Sequence, residues 1–224
     1  MAAIRVAAFI DGFNLYHALE DFRKNHLKWM DLRVLCENFI RAPDLRLADV
    51  FYFSAFATWR KDPYRRHRDY VKALRARGVT VVLGRFKGKD RRCHRCKATW
   101  KDHEEKETDV NIALHMLLGA LRDTYDRALL LSGDSDLAPA VRLLRVEAPG
   151  KDIRILTPPG RGHSMELVTA AGGLSWCRRI ELLHVSRSLL PREVRDSDGR
   201  LVALRPAEFN PPIPEAGDGE PAGI

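Results

Sequence analysis

The chain has 224 residues, 45% hydrophobic and 30% charged, which suits one domain of ordinary size with its own core. No apolar run is long enough to span a bilayer, the N-terminus lacks the order of a signal peptide, and four cysteines, two of them in a close pair, do not look like a disulfide framework. A cytoplasmic protein with no membrane partner is therefore expected. The net charge of +8 is unevenly placed: residues 60–106 hold 17 Lys/Arg against 6 Asp/Glu, and the rest of the chain 21 against 24. That segment is either a solvated face or a surface for a polyanion, of which a phosphate backbone is the commonest.

In chain order, residues 4–11 read as a short buried strand ended by Asp11-Gly12. Leu15, Leu19 and Phe22 give residues 13–25 helical spacing, and Leu32, Leu35 and Phe39 do the same for 31–41. Residues 48–56 predict an aromatic strand. A basic helix runs from Pro63 to Arg77 and stops at Gly78, and a strand at 79–83 is closed by Gly84. A long basic loop is expected at 85–107. A helix then runs from Asp109 to Leu121 with Thr108 as N-cap, and Val110, Ala113, Leu114, Leu117, Leu118 and Leu121 form one apolar stripe. Strands follow at 127–132, 153–156 and 180–185, with helices at 137–147 and 165–171. The alternation predicts a three-layer α/β/α domain over residues 1–185 with a mainly parallel central sheet. Residues 186–205 read as an extension with a hairpin turn at 196–199. From Pro206 the chain carries five of its 12 prolines and reads as a disordered acidic tail, 206–224.

Asp11, Asp134 and Asp136 follow strands, and Asp109 opens the helix leading into the strand before Asp134. In a parallel sheet these acids meet if their strands are neighbours. Clustered carboxylates repel unless a cation lies between them, and hard oxygen donors favour Mg²⁺ or Mn²⁺ over zinc. Such ions suit phosphodiester chemistry. Asn14 and Ser132 can join the same network, and Glu107 can serve as an outer ligand. For each acid alone, the alternative is an N-cap or a turn.

Three segments then carry a resemblance: Phe9-Ile10-Asp11-Gly12-Phe13-Asn14-Leu15-Tyr16, Lys106-Glu107-Thr108-Asp109-Val110 and Ser132-Gly133-Asp134-Ser135-Asp136-Leu137. In this order they resemble the NYN domain, the PIN-like nuclease family that includes the LabA/DUF88 proteins, over roughly residues 4–185. The resemblance implies a PIN-like fold and metal-dependent cleavage of RNA. It implies metal-site carboxylates at Asp11, Asp109, Asp134 and Asp136, and a polar active-site role for Asn14. It is also compatible with a homodimer. The expected function is a metal-dependent ribonuclease acting on single-stranded or structured RNA. The rivals are an RNA-binding regulatory module without catalysis, a small-molecule phosphohydrolase and a DNase. The phosphohydrolase reading is weakened by Asp11-Gly12-Phe13, which has no second acid two residues on.

Cys93-His94-Arg95-Cys96 lies in the basic loop, ahead of Trp100 and His103. Its spacing suits a turn around structural Zn²⁺, with His103 as third ligand and His94, His67, Cys36 or Cys177 as fourth. Two reduced thiols or a redox pair are the alternatives. Zinc is favoured because a loop of this length and charge would otherwise be floppy. Arg65, Arg66, Arg91, Arg92, Arg95 and Lys97 are candidate phosphate contacts, and Trp100 a candidate for stacking on an unpaired base. Tyr52, Phe53 and Phe56 read as packing residues. Tyr16 and Trp59 lie near the expected carboxyl edge of the sheet, where either role fits.

Overall fold

The computed structural model describes residues 3–212. The chain runs β1 (Ile4–Asp11), α1 (Gly12–Glu20), α2 (Leu32–Glu37), β2 (Leu45–Ser54), α3 (Lys61–Ala76), β3 (Thr80–Leu83), β4 (Arg85–Arg92) and β5 (Thr99–Lys106). It continues through α4 (Thr108–Leu121), β6 (Arg127–Leu131), α5 (Ala138–Glu147), β7 (Asp152–Thr157), α6 (Met165–Ala171), β8 (Cys177–Arg179) and α7 (Leu182–Ser186), and closes with β9 (Glu193–Arg195) and β10 (Leu201–Leu204). Six strands form one parallel sheet in the order β3-β2-β1-β6-β7-β8. The chain builds outward from β1 on one side, then restarts at β6 on the other. The strand order thus reverses between β1 and β6, and in such sheets a crevice opens there beyond the carboxyl ends.

Alternation along β1 explains the layers. Val6, Ala8 and Ile10 face a core shared with α1, α2 and α3, while Ala7 and Phe9 face one shared with α4, α5 and α6. Both faces are covered, which is why the strands read as continuous apolar runs. Among the described residues, no helix is long and apolar enough to cross a membrane.

The structure departs from the sequence reading in four places. The basic loop at 85–107 is an antiparallel hairpin, β4 with β5, in register from Arg85↔Lys106 to Arg92↔Thr99. Residues 180–185, expected as a strand, instead follow the short β8 and enter α7, where His184 Nδ1 accepts the backbone N–H of Glu181 at 3.0 Å. The apolar stripe of α4 is only part of its apolar surface. Ile112, Met116 and Ala120 face the core, while Val110, Leu114, Leu118 and Leu121 are exposed by 44–65%. Finally, ordered packing continues past Pro206. Val194 and Ala203 of the β9–β10 hairpin join the first core, and so does Phe209, only 9% exposed. The remainder of the expected tail, residues 213–224, lies outside the described residues.

Candidate active site

Asp11 is the last residue of β1 and the N-cap of α1. One carboxylate oxygen accepts the backbone N–H of Asn14 at 2.9 Å, which satisfies a free donor at the helix start. The other accepts the Ser132 hydroxyl at 2.9 Å, reaching across to the end of β6. Ser132 Oγ accepts the N–H of Asp134 at 3.0 Å, and Asn14 Oδ1 accepts the N–H of Gly133 at 2.9 Å. Two strand ends are thereby stitched through side chains, with Ser132 fully buried and Asp11 4% exposed. Gly12 is demanded by crowding: a Cβ there would lie 2.6 Å from both the Phe53 carbonyl and the Tyr52 ring.

Asp109, in the first turn of α4, and Asp134, which caps a turn of 3₁₀ helix at Ser135–Leu137, line the same cleft as Asp11. Burial raises the Asp11 carboxyl to about 6, against the pull of the Asn14 and Ser132 donors, and Asp109 and Asp134 add repulsion. Asp109 is also raised to about 6, by burial first and then by Asp134, Glu105 and Asp136. Asp136 is exposed, acting on Asp109 through space.

These groups want a cation. Among the described residues, no three His, Cys, Asp or Glu side chains already sit close enough to grip one. That still fits Mg²⁺ or Mn²⁺. Mg²⁺ keeps several waters and takes only one or two carboxylates directly, completing its shell with substrate phosphate. An open, mutually repelling set of oxygen donors matches that habit.

The opposite wall comes from the hairpin. Glu105 of β5 accepts the backbone N–H of Thr108 at 3.1 Å and the Thr108 hydroxyl, so it caps α4 from outside the helix and lines the cleft. Glu107 does not share that place. It adopts a left-handed conformation (φ 84°) and pairs with Arg85 at 2.7 Å. The extra acid beside Asp109 is therefore Glu105, not Glu107, and Glu107 rather than Thr108 occupies the N-cap position.

His103 is also elsewhere than expected. It faces Gly88 in the hairpin, four residue pairs below Arg92↔Thr99, or roughly 13 Å along the ribbon. There it stacks on Trp59 inside the cleft. Cys93 and Cys96 sit at the hairpin tip, where the Cys96 N–H points at Cys93 Sγ at 3.5 Å. Cys36 and Cys177 are buried in opposite cores, and His67 packs beside Tyr52. His103, His67, Cys36 and Cys177 are thus not placed to join Cys93 and Cys96, whose thiols sit free in a tight turn, and the loop's order comes from strand pairing.

The candidate phosphate contacts divide. Arg92, Arg95, Lys97 and Trp100 are exposed on the outer half of the hairpin, and Arg91 pairs there with Asp102 at 3.3 Å. Arg65 and Arg66 on α3 share Glu208, at 3.6 and 3.0 Å. Of these only Arg66 lines the cleft, where it is joined by Arg60 and Arg161. The cleft encloses roughly 870 Å³. Sequence reasoning missed Glu105, Arg60, Arg161 and Phe86, and placed His103 on the wrong partner. The signal available for His103 was its distance along the chain: in a hairpin closed at 93–98 it lies four residue pairs from the turn that holds the cysteines.

The NYN domain family model matches residues 5–174. The chain belongs to the NYN family. NYN domains are PIN-like and nuclease-like, in keeping with carboxylates gathered at the β1–β6 crevice. The low amplitude and bright protein LabA of Synechococcus elongatus is similar at 28% identity, the match covering 64% of this NYN chain and 69% of that protein. The 6-hydroxy-3-succinoylpyridine 3-monooxygenase HspA of Pseudomonas putida is similar at 24% identity over 68% of this chain, which spans only 58% of that relative's length. A protein of unknown function from Vibrio parahaemolyticus shares the fold at a TM-score of 0.53 and 23% identity, covering 84% of this chain and 97% of its own.

Proposed function

We propose that this NYN domain hydrolyses RNA phosphodiester bonds with the help of Mg²⁺ or Mn²⁺ held by Asp11, Asp109 and Asp134, with Asp136 at the rim. The observation that carries the reading is the bonded network from Asp11 through Ser132 to Asp134, facing Asp109 in a cleft that also contains arginines. A bound divalent ion would neutralise phosphate oxygens and favour ionisation of an attacking water.

The chain's own residues do the rest. Ser132 and the Asn14 N–H hold both oxygens of Asp11 and so fix its carboxylate plane. Asn14 ties α1 to Gly133, which keeps the two strand ends in step. Arg60, Arg66 and Arg161 supply positive charge for flanking phosphates. Water attacks phosphorus and the 3′-oxygen leaves, so the products carry 5′-phosphate and 3′-hydroxyl ends. Four unpaired cysteines suit a reducing cytoplasm.

The test is incubation of labelled RNA, with matched DNA alongside, in Mg²⁺ or Mn²⁺. RNA cleavage should appear with the ion, vanish with chelator, and vanish in Asp11→Asn and Asp134→Asn while RNA binding survives. Cleavage by either variant at the wild-type rate would overturn the site assignment, and cleavage of DNA alone would overturn the substrate.

A further inference from the structure

Trp59 lies on the connection between β2 and α3 and keeps 42% of its surface exposed. Its indole is parallel to the His103 imidazole, with centroids 3.7 Å apart and planes within 7°. Phe86 meets the indole edge-on at 4.7 Å, and Phe13 of α1 braces Phe86 at 5.5 Å. All four rings line the cleft that holds Asp11 and Asp109. A parallel stack covers one face of the indole, while Trp59 stays 42% exposed and is among the residues that line the cleft. The rings are already fixed by one another, so a ligand stacking there pays little ordering entropy. Their neighbour in sequence is Arg60, which lines the same cleft.

We propose that the Trp59–His103 pair is a stacking subsite for one unpaired nucleobase, placed so that the adjoining phosphate meets the carboxylates. A base inside a duplex has both faces covered by its neighbours, so the plate selects single-stranded substrate. Stacking on an aromatic plate is tolerant of base identity, since every base has a π-face. The inference rests on the nucleic-acid reading of the cleft but not on cleavage.

The experiment uses the full chain in chelator, where nothing is cut, with RNA 8-mers carrying 2-aminopurine at each position in turn. Wild type should quench the fluorophore strongly at one position. Trp59→Ala should lose that quench and bind about tenfold more weakly, and Trp59→Phe should recover part of both. An abasic residue at the quenched position should weaken wild type but cost Trp59→Ala nothing further. A duplex of the same sequence should bind both proteins alike. Unchanged quenching and affinity in Trp59→Ala would overturn the subsite, as would equal losses for single strand and duplex, since the stack would then merely anchor the hairpin. Absence of cleavage in Mn²⁺ with quenching intact would remove the nuclease reading and leave this inference standing.

Discussion

At the sheet edge, Asp11, Asn14, Ser132, Gly133 and Asp134 are joined by four hydrogen bonds spanning two strands of the core. Across the cleft, the hairpin presents Phe86, His103 and Glu105 from a ribbon that is polar on both faces. It is held to the body by ring contacts and by the Thr108 cap. At the centre of the first wall Asp11 and Ser132 are buried, and their bond fixes its geometry, because moving either leaves a buried donor or acceptor unpaired. The second is largely exposed, and aromatic contacts tolerate small shifts. The pairing suggests a division of labour: chemistry is set on the rigid wall and substrate is fitted by the adjustable one.

That comparison breaks most sharply at Asp11. Asp11→Asn or Asp134→Asn should lower RNA cleavage by about a thousandfold, measured as initial rate in saturating Mn²⁺, with affinity little changed. Next come the groups that orient the carboxylate. Ser132→Ala or Asn14→Ala should cost about 10- to 100-fold in kcat, as loss of an orienting partner commonly does, and should raise the Mn²⁺ needed for half-activity. An equal loss from Glu107→Gln would undo the comparison, because Glu107 is engaged by Arg85 outside the cleft. Its substitution should change the rate less than about twofold, whereas Glu105→Ala should loosen the start of α4 and cost more.

The smallest effect is on stability. Asp109 has a folded value of about 6 against an ordinary 3.8, so between those values the folded state binds more protons than the unfolded. Its contribution therefore falls as pH rises from 3.8 to 6 and stays lost above. In chelator at pH 7.5, Asp109→Asn should be more stable than wild type by roughly 1 kcal/mol once solvent screening is allowed for, and the difference should vanish below pH 4. Thermal melts of both proteins at the two pH values check it. A variant less stable at pH 7.5 would mean that Asp109 is held by a favourable partner rather than by repulsion.

The same contrast explains what the sequence made legible. The sheet edge is written locally: Val6–Ile10 is an apolar run ended by Asp-Gly, and Leu129–Leu131 ends in Ser-Gly-Asp. Periodicity and turn chemistry identify both, and parallel topology makes them neighbours. The hairpin has no such mark. With most β4 and β5 residues exposed, alternation between apolar and polar is absent and the segment reads as loop. Glu105 escapes a reading by spacing because the left-handed conformation at Glu107 turns the chain, a feature no spacing rule anticipates for glutamate. Helix α7 was mistaken for a strand because Ile180-Glu181-Leu182-Leu183-His184-Val185 is too short for period to separate the two. The exposed side of α4 looked like ordinary amphipathicity until its core side was seen to be filled by Ile112 and Met116.

End-group analysis of RNA fragments tests the central claim most directly. Wild type in Mn²⁺ should yield 5′-phosphate and 3′-hydroxyl termini, with no product in chelator or from Asp11→Asn. Termini with 2′,3′-cyclic phosphate, or cleavage that persists in chelator, would contradict a carboxylate-held divalent ion and the hydrolysis built on it.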